Sequence, residues 1–599
     1  MLLTDLARLM PGKTAAVPGY SAIKTCIYAG IAAVVLTLPS QVRAQAAGPA
    51  VGSGSVLMDA MTTELHRAFT TLGRPVAGKA DAGNQLPPYF LSYSVSDATG
   101  VSIRAQFGAV VDSSENRARV ADVQVRLGSA KLDNTHGDHR ATAVNSIQLP
   151  LTDDRAALAR TLWMATNTGY GTALDNYLRV KTEAEVRAKE EDGSPDFSQE
   201  KPQTYIGRQA PKLVVDRAAW AKRVEALSKV FREFPDVYQN VVMLTAQNET
   251  DYFASSEGSR EVTPHTQARL VAIAVTRAED GMDLYREQTF EAETVDGLPR
   301  QAELEAAMRA LGKSVEALRK APVTEPFDGP AILSGRAAAV FFHEVLGHRL
   351  EGQRQRGDEE GQTFTKDVGK LVLPSFLSVA DDPTMTKFGN TWLSGSYQYD
   401  DEGEKAQRVD LINDGVLKTF LMSRLPIANF SESNGHGRAE TGHVPTGRQG
   451  NLIVTSTKSV PEAELRKDLI EEAKKQGKAY GLYFEDISSG FAVTQRSSPQ
   501  AFQVIPLVVW RVYVDGRPDE LVRGVSIVGT PQAALKRIVE TGDKREVFNG
   551  ECGAESGTVP VSAVAPAMLV SEIETQKQAQ GTARPPILAK PSAATKGAQ

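Results

Sequence analysis

Residues 341–352 read FFHEVLGHRLEG and place two histidines and two glutamates inside a run that is otherwise typical of a buried helix. Ionisable groups in an apolar setting are costly unless they are paired or bind a metal. Ser334 can cap this helix at its amino end. His343 and His348 are five residues apart, so an ideal α-helix would hold them roughly 140° apart around its axis. If both face one ion, the helix must end, kink or widen between them, and we expect this at Gly347.

The residue types in this stretch are compatible with a metal site. The imidazoles of His343 and His348 are good ligands for zinc, and a thiolate from Cys552 would complete a site with three protein ligands and one open position. Glu344 would then accept a proton from an activated water, and Glu351 would orient the ring of His348. One alternative remains open on these grounds, because two histidines and a glutamate can also form a buried hydrogen-bonded set.

The amino terminus predicts export. The apolar run CIYAGIAAVVLTLPS (26–40) precedes a small-x-small cleavage pattern at 42–44. We therefore expect residues 1–44 to be a cleaved signal peptide that directs the chain to the periplasm or outside the cell, with no stable membrane anchor. An uncleaved anchor is less favoured, because the run is shorter than the roughly 20 residues that span a bilayer. Cleavage would remove Cys26 and leave Cys552 as the only cysteine, in a polar, glycine-flanked stretch that predicts a loop.

Composition and patterning predict a globular protein of several domains. A formal net charge of −6 over 599 residues, without a basic stripe, argues against a nucleic-acid partner. The fold class expected is α+β: N-terminal α/β lobes, then a mainly antiparallel sheet domain that carries the 341–352 motif, with hairpin turns at 413–415 and 515–516. The expected divisions are a signal peptide (1–44), an N-terminal α+β lobe (45–186), a charged linker or exposed insertion (187–210), a middle α/β lobe (211–324), a β-rich carboxy-terminal domain (325–575) and a disordered tail (576–599).

Other polar residues carry weaker signals. Arg438 and His443 lie in a glycine-rich segment and are candidates for holding a substrate carboxylate or carbonyl, although a solvated loop is the favoured interpretation. The acidic run DDE (400–402) is more typical of a turn than of a second metal site. The remaining histidines show no spacing signal and are left unassigned; they are His66, His136, His139, His265 and His436.

Several stretches resemble the TldD/PmbA metalloproteases, also called the modulator-of-gyrase family. The most specific is FDGPAILSGRAAAVFFHEVLGHRLEG (327–352), which contains the motif described above. The others are GSYQYDDEGEKAQRVDLINDGVLKTFLMSR (395–424), SNGHGRAETGHVPTGRQGNLIV (433–454), LVRGVSIVGTPQAALKRI (521–538) and ECGAESGTVPV (551–561).

The resemblance implies a TldD-like member with a complete metal site. In that family the two motif histidines and the late cysteine bind Zn²⁺ and the motif glutamate is the catalytic base, which correspond here to His343, His348, Cys552 and Glu344. It also implies hydrolysis of small or unfolded polypeptides by a homodimer, or by a heterodimer with a PmbA-like subunit. The alternatives are a catalytically silent partner or scaffold subunit, and a metal-dependent hydrolase of non-peptide amides. The signal peptide and the longer chain depart from the family pattern.

Overall fold

The computed structural model describes residues 55–74, 86–186, 192–208, 213–357, 360–498, 500–578 and 586. The predicted signal peptide, residues 1–44, lies outside these residues, as do both ends of the predicted linker and the predicted tail beyond 578, apart from residue 586. Among the described helices, none is long and apolar enough to cross a membrane.

An eight-stranded sheet forms the amino-terminal half, in the order β3-β2-β1-β6-β7-β5, with β4 beside β2 and β8 beside β7. Its neighbours are antiparallel, except that β5 runs parallel to β7. The strands of the two predicted lobes, 45–186 and 211–324, join in this one sheet because β1 pairs with β6. Its strands are β1 Pro88–Gln106, β2 Ala109–Ser129, β3 Leu132–Asp133, β4 Val144–Gln148, β5 Thr204–Ile206, β6 Gln239–Ser255, β7 Arg260–Arg277 and β8 Asp283–Ala292.

Four helices cover one face of this sheet: α1 Val56–Thr71, α2 Arg155–Val186, α3 Arg217–Lys229 and α4 Gln301–Lys320. Helix α3 shows why they form, since Asp216 accepts a hydrogen bond from the Ala219 amide and Val224 and Leu227 are buried at helical spacing. Alternate strand residues such as Ile103 and Leu244 pack under the helices. Most of the residues between them on β1 and β6 are polar, and they point to the other face of the sheet.

The carboxy-terminal domain has a twelve-stranded sheet in the order β14-β13-β10-β17-β24-β22-β20-β19-β9, and β9 also pairs with β24. The strands β24, β22, β20, β19 and β9 therefore form a closed ring. Most pairs are antiparallel, so the predicted α+β fold with a mainly antiparallel carboxy-terminal sheet is confirmed. The strands of this sheet are β9 Asp328–Leu333, β10 Leu377–Asp381, β13 Val409–Asn413, β14 Val416–Leu417, β17 Asn451–Ser456, β18 Ser459–Val460, β19 Tyr480–Ala492, β20 Phe502–Tyr513, β21 Glu520–Val522, β22 Val525–Gly529, β23 Ile538–Ala554 and β24 Gly557–Lys577.

Smaller elements complete this domain. Helix α5, which carries the sequence motif, packs against β19, β23 and β24. Both predicted hairpins form, one between β13 and β14 and one between β20 and β21. The remaining elements are the strand pairs β11 Lys387–Phe388 with β12 Thr391–Trp392 and β15 Gly437–Arg438 with β16 Thr446–Gly447, and the helices α5 Gly335–Val345, α6 Glu462–Lys475 and α7 Pro531–Lys536.

The segment 192–198, part of the predicted exposed linker, is a bridge between the two halves. Asp196 and Phe197 are 2% and 3% exposed. The Phe197 ring lies between the guanidinium carbons of Arg126, at 3.8 Å from the ring centroid, and Arg424, at 4.0 Å. The predicted exposure of this segment is wrong. Its composition is mostly polar, but the ring of Phe197 is buried between two guanidinium groups.

Candidate metal centre

The motif helix ends between its two histidines. Ser334 caps α5 by accepting a hydrogen bond from the Ala337 amide. The α-helix stops at Val345, and a 3₁₀ turn over Gly347–Leu350 follows it. This turn brings His343 and His348 together, with their ring centroids 4.9 Å apart.

Gly347 allows a close approach at this bend. A Cβ on Gly347 would overlap the side-chain oxygen of Gln449. Gln449 is 1% exposed, and its amide nitrogen lies 3.4 Å from the His343 carbonyl oxygen. A glycine is required here because the Gln449 side chain occupies the Cβ position.

Cys552 reaches the two histidines from a strand. Its Sγ lies 3.3 Å from His348 Nε2, and one potential ligand atom from each of His343, His348 and Cys552 lies within 4.8 Å of the other two. We call these three residues the thiol cluster. The expectation of a loop around Cys552 is wrong, because β23 and β24 pair up to Ala554 and Gly557 and place Cys552 opposite Val559. Cys552 is buried.

The thiol cluster fits a metal ion. His343 Nδ1 is buried and has no hydrogen-bond partner among the described residues, which is costly unless something else binds it. Burial disfavours a thiolate at Cys552, but the positive charges of His348 and Arg448 outweigh it and hold the pKa of Cys552 well below its usual range. Two imidazoles and a thiolate are a donor set that suits zinc.

Glu344 and Glu351 lie near different nitrogens of the His348 ring, Glu344 near Nε2 and Glu351 near Nδ1. Glu344 Oε2 lies 3.9 Å from His348 Nε2, and burial raises the pKa of Glu344 despite the nearby histidines. Glu351 Oε1 lies 3.0 Å from His348 Nδ1. Burial opposes the charge of Glu351, but the charges of His348 and Arg354 and the hydrogen bond from His348 lower its pKa to about 2. Glu351 is therefore an ionised acceptor for the His348 ring.

Arg448 is a site residue that the sequence did not reveal. Its guanidinium is fully buried. One terminal nitrogen donates to the Cys552 carbonyl at 2.5 Å, and the other donates to Ser556 Oγ at 2.8 Å. Its Nε lies 3.7 Å from Glu351 Oε1. Arg448 thus connects the β23–β24 hairpin to the motif segment 341–352. Its only sequence signal was its position in the stretch 433–454 that resembles the family.

The weaker candidates are not members of the thiol cluster. Arg438 is 2% exposed and donates to the Gln449 carbonyl at 2.6 Å, so the solvated loop expected for it is wrong and its contact is structural. His443 is exposed. The acidic run 400–402 is a turn, since Asp400 accepts hydrogen bonds from the backbone amides of Glu402 and Gly437.

Comparison with known proteins agrees with this architecture. Residues 327–577 match the PmbA/TldA metallopeptidase C-terminal domain. A metalloprotease TldD homolog from Haemophilus influenzae is 29% identical over 252 residues, 41% of this chain and 47% of that protein. A zinc metalloprotease TldD homolog from Saccharolobus solfataricus is 26% identical over 247 residues, 41% of this chain and 51% of that protein. The chain thus spans about half the length of these relatives.

Two solved structures share the fold. TldE from Thermococcus kodakarensis superimposes with a TM-score of 0.53 at 13% identity, over 82% of this chain and 97% of that one. A proposed modulator of a DNA gyrase from Thermotoga maritima gives a TM-score of 0.54 at 16% identity, over 81% and 96%. Residues 327–577 thus carry the C-terminal domain of the PmbA/TldA metallopeptidases. The curated relatives and the shared fold both support the TldD/PmbA family.

Proposed function

We propose that this chain is a zinc-dependent peptidase that hydrolyses small or unfolded polypeptides at the thiol cluster. The observation that carries the proposal is the convergence of His343, His348 and Cys552 beside Glu344. Zinc bound there would supply Lewis acidity and lower the pKa of a bound water. One relative is named a zinc metalloprotease, which supports the choice of ion.

The residues around the ion have separate tasks. His343, His348 and Cys552 hold it, and Glu351 orients the His348 ring through the 3.0 Å contact with Nδ1. Glu344 accepts a proton from the attacking water and passes it to the leaving amine. Arg448 keeps the Cys552 strand in place through its bond to the carbonyl oxygen.

The setting of this activity is also part of the proposal. Export through the predicted signal peptide would place the enzyme in the periplasm or outside the cell. The family resemblance supports a dimer, either of two copies or with a PmbA-like subunit; a relative named metalloprotease PmbA matches 18% of this chain at 28% identity.

Hydrolysis of an unstructured fluorogenic peptide tests the function. We expect Glu344→Gln to lower kcat by at least about 100-fold, the lower end for loss of an acid–base group, with metal content near that of the wild type. Glu540→Gln is a matched control, because Glu540 is a buried glutamate in β23 away from the thiol cluster. Undiminished turnover in Glu344→Gln would remove this residue from the mechanism. Wild-type turnover that survives chelation would exclude a metallopeptidase.

A further inference from the structure

The face of the amino-terminal sheet opposite the helices carries a second set of potential ligands. On β6, Glu249 and Asp251 are two residues apart and so point to the same face. On β7, His265 is the direct cross-strand partner of Glu249. The same face meets the carboxy-terminal domain, where Arg269 forms an ion pair with Glu551. The set therefore lies at the contact between the two halves of the molecule.

These three side chains converge. His265 Nε2 lies 3.1 Å from Glu249 Oε2, and His265 Nδ1 lies 3.7 Å from Asp251 Oδ2. One potential ligand atom from each residue lies within 4.8 Å of the other two. Ligands about 2.1 Å from a common ion are at most roughly 4.2 Å apart, so a small side-chain adjustment would bring all three onto one ion. We call these three residues the carboxylate cluster.

Burial and donor chemistry make a cation the expected occupant. Glu249, Asp251 and His265 are 3%, 9% and 4% exposed. Their carboxylate oxygens and imidazole nitrogen are donor atoms that a divalent cation accepts. Burial opposes the charge of Glu249, but its hydrogen bond with His265 and the charge of that ring outweigh burial and lower the pKa of Glu249. The ionised carboxylate is available as a ligand.

Neighbouring residues hydrogen-bond to this carboxylate. Ser96 Oγ donates a hydrogen bond to Glu249 Oε1, and the Gln247 side-chain amide donates to Glu249 Oε2 at 2.5 Å. Ser94 and Phe253, one cross-strand pair further along the same face, line a cavity of about 50 Å³.

We propose that Glu249, Asp251 and His265 form a second binding site for a divalent metal ion, Mn²⁺ or Zn²⁺. Carboxylate oxygens with a single imidazole suit Mn²⁺ better than a thiolate-containing set does, and both ions accept imidazole. The site is separate from the thiol cluster and does not depend on the proposed peptidase activity. The competing occupant is a proton, which would leave an imidazolium between the two carboxylates and no metal.

Binding of Mn²⁺ to the whole chain tests this proposal. The wild-type protein is stripped with chelator, loaded with about one equivalent of Zn²⁺ to fill the thiol cluster, and titrated with Mn²⁺ while the electron paramagnetic resonance signal of free Mn²⁺ is followed. We expect about one equivalent of Mn²⁺ to be bound. An unchanged free Mn²⁺ signal, together with no second equivalent of Zn²⁺ bound when zinc is added in excess, would overturn the proposal, and this result needs no variant to fold.

Variants locate the bound ion. His265→Gln should lose Mn²⁺ binding, whereas Glu261→Gln should keep it, because Glu261 is a 2% exposed carboxylate on the same face of β7 outside the cluster. Cys552→Ser should keep Mn²⁺ binding while it loses zinc at the thiol cluster. Mn²⁺ binding that persists in folded His265→Gln, or that disappears in Cys552→Ser, would contradict the assignment. Peptide hydrolysis is measured separately, so failure of one proposal does not imply failure of the other.

Discussion

The thiol cluster and the carboxylate cluster are both buried and both contain imidazole, but they are built in opposite ways. The thiol cluster needs a helix that ends at Val345, a turn, and a hairpin about 200 residues further along the chain. The carboxylate cluster needs only two neighbouring strands whose side chains face the same way. In the thiol cluster the bend after the helix sets the positions of the side chains. In the carboxylate cluster the register of β6 and β7 sets them.

Their donor atoms differ as well. The thiol cluster offers one sulfur and two nitrogens, a soft set that selects zinc, whereas the carboxylate cluster offers mainly oxygens. Carboxylates also have different tasks in the two places. Glu351 hydrogen-bonds a histidine at the thiol cluster, while Glu249 and Asp251 are themselves the expected ligands. Removing a carboxylate should therefore weaken metal binding indirectly at the thiol cluster, but should remove a metal ligand at the carboxylate cluster.

Glu351→Gln should produce the largest of these differences. The change removes an ionised partner of His348 but leaves all three zinc ligands, so we expect zinc affinity to fall about 10–100-fold, as is typical when a partner of a ligand is altered. The Mn²⁺ affinity of the carboxylate cluster should not change. Competition with a chromogenic chelator measures the first quantity, and Glu540→Gln is the control. Equal losses at both clusters would mean general damage to the fold.

Gly347→Ala tests whether the bend defines the thiol cluster. The added methyl group would overlap the Gln449 side chain, so we expect a loss of about 1–3 kcal/mol in the free energy of unfolding, the usual range for overpacking. Urea unfolding measures it. Gly171→Ala is the control, because the added methyl group has no atom within 4 Å. Gly389→Ala is unsuitable, because Gly389 has a positive φ. Equal effects of Gly347→Ala and Gly171→Ala would contradict the packing argument.

Glu404→Gln gives the smallest expected effect and tests a buried carboxylate that belongs to neither cluster. Burial, followed by the charge of Asp400, raises the pKa of Glu404 to about 9. A raised pKa means that the folded state disfavours the ionised form, so this group contributes stability at low pH that is lost as the pH rises from about 4.3, the unfolded value, towards 9. Glutamine does not titrate. The variant should therefore gain about 1 kcal/mol relative to the wild type between pH 5 and pH 9, after allowance for partial solvent screening.

Thermal unfolding of both proteins across this pH range measures the difference. Glu462→Gln, on the exposed first turn of α6, is the control and should show no such gain. A difference that is constant with pH would contradict the sign derived for Glu404.

Local signals in the sequence indicated where the motif helix ends. If both histidines faced one ion, their five-residue spacing required a break in the helix, and the break lies at 346–347. Ser334 was recognised as a cap, and the turn at 413–415 as a hairpin, because each depends on only a few adjacent residues. Helix caps and tight turns are short-range chemistry.

The features that depend on distant pairing were not predictable. His265 has no spacing signal, since its partner Glu249 is opposite only when the register of β6 and β7 is known. Arg448 contacts Cys552 across about 100 residues of chain, and Phe197 is buried only because Arg126 and Arg424 enclose it. The family resemblance indicated which residues belong together in the thiol cluster but carried no information about the carboxylate cluster.

The most direct test of the central claim is the zinc-edge X-ray absorption spectrum of the purified chain. If His343, His348 and Cys552 hold one ion, the wild-type spectrum will contain one sulfur neighbour at ~2.3 Å with imidazole nitrogens at ~2.0–2.1 Å, and Cys552→Ser will lack the sulfur. A zinc-loaded wild-type protein with no sulfur neighbour, or an unchanged sulfur signal in Cys552→Ser, would contradict it.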